Sequence, residues 1–354
     1  MTDLDDDVEP LAKRAAAWFS FKNVGASYIL IALIVYFLAA EPLFGEWATL
    51  KQILNGNTVT ALVALALVLP MSAGVFDLSV AYVVTLSGVV STYLIVIGGL
   101  PVALSVVIAL VVSAMVGVVN AFVVVGLKIN SFIATLATGS LLQAAVIAVS
   151  DSTAISGSEL QGGFDAIAQT EVAGFTLPIV YVIVISLVIW HVQERTAVGR
   201  RIYAVGFNAE AARLAGVRAD RVRLGTLIFS STLAGFAGIV LASSINSGSP
   251  SAGDPYLLPA FAAAFVGATQ FKQGRFNAWG TLLAIVLLGV GTVGLGLSGG
   301  EGWTQSLFTG LVLIVALAVT AFERRSGASE DVVPVRLLRR LVGKGPERPA
   351  DRTG

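Results

Sequence analysis

Between Gln52 and Leu127 only one residue is of a charged type: Asp77, in the stretch "GVFDLSVA" (Gly74 to Ala81). An ionisable group in a run this apolar costs ~2.5–3.5 kcal/mol on membrane-insertion scales and marks an ion or solute path by default. The same carboxylate could instead accept from free backbone amides and cap the helix that follows; capping is the favoured of the two roles. Asn120 and Asn246 are the next polar positions in apolar surroundings. An amide there needs partners, usually on a neighbouring helix, with a solute path as its second use. Phe132 and Phe261, like Phe76, could stack on a bound ring, although phenylalanine in such runs mostly fills packing or faces lipid. The candidates for a path or gate are therefore Asp77, Asn120, Phe132, Asn246 and Phe261.

Little competing chemistry is available. The chain has no cysteine and a single histidine, His191. Thiolate nucleophiles, disulfides and multi-histidine metal sites are thereby excluded, and neither a catalytic nor a metal-binding set is expected. There is no G-x-x-x-x-G-K-[ST], and no lysine is followed by Ser or Thr, so the chain lacks the loop that cradles nucleotide phosphates. The glycine-rich "LGVGTVGLGLSGG" (Leu288 to Gly300) lies within and at the end of an apolar run, where it serves close helix approach.

The elements that must position these residues follow from composition. Of 354 residues, 56% are hydrophobic and 12% charged, and the mean hydropathy is +0.86. A soluble surface needs far more charge, so the class is an all-α, polytopic membrane protein with no nucleic-acid partner. The acidic start, "DLDDDVEP", has no signal-peptide pattern, and insertion is expected to use the chain's own helices. At about 20 apolar residues per crossing of a ~30 Å core, ten spans are predicted: 24–40, 53–70, 79–97, 101–125, 131–150, 175–193, 224–246, 257–271, 277–297 and 304–322. An even number puts both termini on one side. Basic residues mark the cytoplasmic side, and all of the 22 except Lys51 then fall there with the termini. The 151–174 loop carries Asp151, Glu159, Asp165 and Glu171 without Lys or Arg, as an outer loop should. The parts are a cytoplasmic arm (1–23), a transmembrane domain (24–322) and a cytoplasmic tail (323–354), in a plasma (inner) membrane. The tail is either solvated or forms a short helix at 334–342 on anionic lipid. "KINSFIATLATGSLL" and "GRFNAWGTLLAIVLLG" echo one another weakly, each opening a span after a basic turn.

One segment interrupts the apolar pattern. "GRRIYAVGFNAEAARLAGVRADRVR" (Gly199 to Arg223), within a loop at 194–223, is rich in arginine. Asn208 is a good N-cap, Glu210 suits the first turn, "AEAARLA" has high helix propensity, and Gly216 is placed as a C-cap. The result is a helix of about two turns, too short to be stable alone. It must dock either on the chain's own helix ends or on another protein; an ordinary linker with one stabilised turn is the plain alternative.

These residues carry a resemblance. "GRRIYAVGFNAEAARLAGV" resembles the cytoplasmic loop of the ribose-type (monosaccharide) permeases of ABC importers. "GVFDLSVA" is similar to that family's Gly-Ile-Asp-Leu-Ser-Val-Gly element, and "GVVNAFVVVGLKINSFIATLAT" (Gly117 to Thr138) to its Gly-x-x-Asn-Gly stretch. The resemblance spans about residues 50–322. The chain departs from the pattern at "GATQFKQG" (Gly267 to Gly274) and at Leu257, so the transported solute stays open: a monosaccharide first, a branched-chain amino acid or nucleoside as alternatives.

The resemblance implies a membrane subunit without enzymatic activity of its own and without a bound cofactor, ATP and Mg being held by a separate cytoplasmic ABC ATPase. It further implies an extracytoplasmic solute-binding protein and a second permease copy or paralogue. Asn208 to Gly216 would be the coupling helix that seats in the ATPase, with Glu210 and Arg213 as polar contacts, Leu214 as the apolar one, and Ala211 within the same turn. The rival from another class, an ion-coupled carrier working alone, would need acids in its spans, and Asp77 is the one on offer.

Overall fold

The structure, a computed structural model, describes residues 21–272 and 274–330; the expected 334–342 helix and most of the 1–23 arm lie outside them. Seven helices or helix pairs are long and apolar enough to cross a membrane, and three apolar helices are shorter. In chain order the helices are α1 (Phe21–Ala40), α2 (Trp47–Gly56), α3 (Thr58–Ser72), α4 (Val80–Val96), α5 (Val102–Ala121), α6 (Ser131–Ser150), the short α7 (Ala166–Gln169), α8 (Leu177–Arg195), α9 (Ala197–Phe207), α10 (Ala209–Leu214), α11 (Ala219–Ile245), α12 (Leu257–Ala268), α13 (Ala278–Leu297) and α14 (Gly302–Glu330).

The expected span at 53–70 is longer and bent. Apolar sequence runs from Trp47 to Ser72, and the bend falls at Asn57, whose side-chain amide donates to the Ile53 carbonyl at 2.7 Å. An amide that bonds its own preceding turn competes with the helix ladder. The last span also differs: its helix continues to Glu330 rather than ending at 322. The expected span at 257–271 is a shorter helix, because the chain leaves it at Thr269 and Phe271 takes φ +62°.

Hydrophobicity around the whole circumference places a helix inside. Every residue of α3, "TVTALVALALVLPMS", is buried. α4, α11 and α12 are buried along most of their length, whereas α1, α5, α6, α8 and α14 expose large apolar side chains on their outer faces. Small residues set the spacing of the centre. A β-carbon on Gly238 of α11 would run into the backbone of Val84 on α4, and Ser87 of α4 donates to the Gly235 carbonyl at 2.8 Å. Without a hydrophobic drive between helices in lipid, such close backbone approach and interhelical hydrogen bonds supply the cohesion.

Two quartets of helices pack in matching ways. α3 lies against α11; α11 reaches α4 and α5, and α3 reaches α12 and α13. Within the quartets α4 packs on α5 and α6, and α12 on α13 and α14. The weak sequence echo follows a different register: it pairs α6, fourth in its quartet, with α13, third in the other. What those two share is local, since Asn130 and Asn277 each cap the helix they open.

Each quartet has an irregular segment after its first helix: residues 73–79 after α3 and 246–256 after α11. The second is tied to the loop that follows α6 by the Ile155–Gly248 bridge. That loop then folds through α7 and a two-stranded hairpin, β1 (Glu171–Val172) with β2 (Phe175–Thr176). It buries Leu160 and Phe164 completely, and Ser243 of α11 donates to the Phe164 carbonyl while accepting from Ala168 N–H.

Candidate functional site

The loop at 194–223 forms two helices where the sequence suggested one. Thr196 opens α9 by accepting from Gly199 N–H, and "AVGRRIYAVGF" buries Ile202 and Val205. This helix was missed because its arginines and glycines read as loop. α10 then begins as expected: the Asn208 side-chain oxygen accepts from the backbone N–H groups of Glu210 (3.1 Å) and Ala211 (3.0 Å). It ends with Gly216 at φ +83°, Val217 N–H reaching the Ala212 carbonyl and Gly216 N–H the Arg213 carbonyl. That paired pattern is the left-handed termination for which glycine is preferred. Arg213 pairs with Glu210 at 3.2 Å and with Asp220 at 2.8 Å, so both polar candidates of α10 are engaged within the chain. Phe207 and Leu214 are the conspicuous exceptions to apolar burial, 92% and 89% exposed.

α9 is held down at two points. Gly206 lies so close to the Ser72 carbonyl, at the end of α3, that no β-carbon fits between them. The Tyr203 hydroxyl donates to the Phe276 carbonyl at 2.9 Å, while the Arg275 guanidinium stands over its ring at 5.4 Å. Burial first, and the Glu194 carboxylate second, push that hydroxyl above the ordinary tyrosine range. Gln193, fully inside, donates to both the Ser72 hydroxyl and the Phe276 carbonyl. Three elements thus meet here: the end of α8 with α9, the end of α3, and the turn before α13. Asn277 fixes that turn, donating to the carbonyls of Gly267, Gln270 and Arg275 and accepting from Gly280 N–H.

From Ser72 the chain enters the irregular segment 73–79, and Asp77 lies in it, wholly buried. One carboxylate oxygen accepts from Ser79 N–H (3.1 Å) and from the Ser79 hydroxyl (2.5 Å). The bond therefore closes a turn just ahead of α4 instead of capping amides inside its first turn. Asn120 of α5 donates to the Ser79 hydroxyl at 2.7 Å, so the sequence candidates Asp77 and Asn120 do come together, through Ser79. The other Asp77 oxygen and the Asn120 carbonyl oxygen have no hydrogen-bond partner among the described residues. From α6, Ser131 accepts from Phe76 N–H (3.1 Å) and Thr135 from Leu78 N–H (2.9 Å). Hydroxyls four residues apart share a helix face, and that spacing was the available signal for them.

The remaining candidates separate. Phe261 is buried within an aromatic run with Phe76, Phe265 and Phe276: Phe76–Phe265 at 6.3 Å, Phe261–Phe265 at 6.4 Å and Phe265–Phe276 at 5.5 Å. Phe265 and Phe276 were not anticipated. Phe132 is 52% exposed on the first turn of α6, outside that run. Asn246 ends α11 with φ +49°, a left-handed cap, and lies in the other irregular segment, so it does not join Asp77 and Asn120. No group of three or more metal-ligating side chains occurs among the described residues.

Residues 49–317 match the family model described as branched-chain amino acid transport system / permease component. Similar curated proteins include the ribose import permease of Bacillus subtilis, 29% identical over 84% of this chain and 92% of that protein. The fructose import permease of Rhizobium meliloti is 29% identical over 85% of each chain. The L-arabinose transport system permease of Escherichia coli is 29% identical over 87% of this chain and 94% of its own. No solved structure matches.

Proposed function

Because the chain belongs to the branched-chain amino acid transport system / permease component family, we propose that it is the membrane-spanning subunit of an ATP-driven importer and that its solute is a monosaccharide or similar small polar molecule. It is a transport component and not an enzyme. The choice of sugar rests on the relatives, whose names specify ribose, fructose and L-arabinose. The departures at Leu257 and Gly267 to Gly274 leave the particular sugar to experiment.

The ten apolar helices act as ten spans, with both termini and α9–α10 in the cytoplasm. α10 is the coupling helix. One observation carries this: α10, a helix of six residues capped at both ends, leaves Leu214 almost fully exposed, and Phe207, the last residue of α9 just ahead of its cap, is equally bare. Two large apolar side chains left bare at the two ends of a helix too short to stand alone suit a cleft in a partner. Since Glu210 and Arg213 are engaged within the chain, the partner contact is chiefly apolar, with the ion pairs holding the helix in shape. The partner is a cytoplasmic ATPase that binds ATP and Mg. Its closure would push α9, which bears on Ser72 through Gly206 and on Phe276 through Tyr203, so the segments 73–79 and 269–277 shift together. A second copy or paralogue of this chain completes the path, and an extracytoplasmic binding protein delivers solute to the outer loops.

The test is uptake by proteoliposomes containing the assembled transporter, its ATPase and its binding protein. ATP-dependent accumulation of one of a panel of pentoses and hexoses is expected. Uptake of leucine and not of any sugar would move the solute to the class in the family's description. Uptake by this chain alone without ATP would overturn the proposal.

A further inference from the structure

A groove of about 580 Å³ opens at the end of the bundle that carries α9 and α10. Its floor is Leu69 at the end of α3, and its walls include Val192 of α8 and Ile202 of α9. α8 and α11 each pack on α3 but make no extensive contact with one another, and the groove lies over the end of α3 where the end of α8, α9, the turn after α10 and the first turns of α11 meet. Arg201, Arg218 and Arg221 line its mouth. None of the three has a hydrogen bond or ion pair to any described residue, in contrast to Arg213, and all three are exposed.

We propose that this slot binds an anionic phospholipid, its phosphate held by Arg201, Arg218 and Arg221 and one acyl chain lying against Leu69 and Val192. Charge and position together identify the occupant. Three unpaired guanidiniums on one rim ask for an anion, and guanidinium matches phosphate oxygens in paired hydrogen bonds. An apolar lining of Leu69, Val192, Val198, Ile202, Val217 and Val222 has no use for a free phosphate ion but suits an acyl chain. Basic pockets between spanning helices on the cytoplasmic side hold acidic headgroups in this way. A lipid there touches α8, α9 and α11 at once, and so braces the base of the loop that ends in α10.

The assembled transporter, purified into nanodiscs of phosphatidylcholine with or without phosphatidylglycerol, is released for native mass spectrometry. Wild type is expected to retain phosphatidylglycerol. The triple variant R201Q/R218Q/R221Q is expected to retain it on the order of 100-fold more weakly, and a control triple at Arg195, Arg200 and Lys128 to match wild type. Gly225 also lines the slot, and a β-carbon there meets nothing. Gly225→Leu should therefore fill the slot and weaken retention with every arginine in place, which covers the case in which the triple variant does not assemble. Equal retention in wild type and both slot variants would overturn the proposal. Displacement of the lipid by inorganic phosphate alone would reduce the slot to a free-anion site. Loss of the ATPase subunit from the triple variant with lipid retention unchanged would make the arginines a protein contact instead.

Discussion

Gly206 of α9 rests against the carbonyl of Ser72, the last residue of α3, with no space for a side chain between them. The contact joins the α9–α10 connection to α3, every residue of which is buried. Neither group can yield cheaply, because both are backbone. Gly206→Ala is expected to force the two elements apart at a cost of about 1–3 kcal/mol. Thermal unfolding of the purified permease in detergent should show a lowered midpoint, whereas Gly225→Ala, which enters open space inside a helix, should leave it unchanged or slightly raised.

The Asp77–Ser79–Asn120 chain gives a graded series. Asp77→Asn keeps an oxygen for Ser79 N–H, and no cation pairs with this carboxylate, so membrane abundance should stay close to wild type. Asp77→Ala leaves buried donors unmatched, a loss of about 1–3 kcal/mol, and abundance should fall. Asn120→Leu removes the donor to Ser79 and should fall between the two. Quantitative immunoblots of membrane fractions check the order. Uptake by the Asp77→Asn variant then separates a structural role for the charge from one in the solute path.

For α10 the cap matters more than the surface ion pairs. Asn208→Ala removes the acceptor for two amides, about 1 kcal/mol of helix stability, and ATPase affinity should drop roughly fivefold. Asn208→Asp should restore it. Arg213→Ala breaks pairs that face solvent, which contribute little, and its effect on affinity should be smaller. Titration of labelled ATPase onto the reconstituted permease measures all three.

Tyr203 links α9 to the turn before α13. Burial raises its hydroxyl above the usual range, so the folded state favours the neutral form. Its stabilising contribution is complete below the ordinary tyrosine value of about 10 and is lost as pH rises past it. Wild-type stability should therefore decline in that alkaline window, and Tyr203→Phe should lose the bond to Phe276 at all pH values while showing a flatter alkaline decline. Unfolding midpoints across an alkaline series test the sign.

Much of this was legible in the chain. Apolar run lengths marked the seven helices long enough to cross a membrane and the three shorter apolar ones, and the Asn208 and Gly216 caps follow from residue type, because caps depend on local backbone geometry alone. Asp77 and Asn120 announced themselves as polar groups in apolar surroundings. What was hidden depends on contacts distant in sequence. Gly206 is a glycine for the sake of Ser72, and Gln193 and Tyr203 for the sake of Phe276; nothing in their own neighbourhood reveals it. α9 was obscured because its apolar side chains, Ile202 and Val205, are separated by residues typical of loops. That Phe132 stands half exposed and apart from the aromatic run was equally hidden, since an isolated phenylalanine carries no sign of which way its helix face turns.

The claim on which the rest depends is that α9 and the segment 73–79 move as one body, so that ATPase closure reaches the bundle through Gly206. The most direct measurement is sugar taken up per ATP hydrolysed by the reconstituted transporter carrying Gly206→Ala. Hydrolysis should persist, because α10 is untouched, while uptake per ATP falls by about tenfold, as the loss of ~1.4 kcal/mol of coupling between the two elements requires. An unchanged ratio in fully assembled transporter would contradict the account.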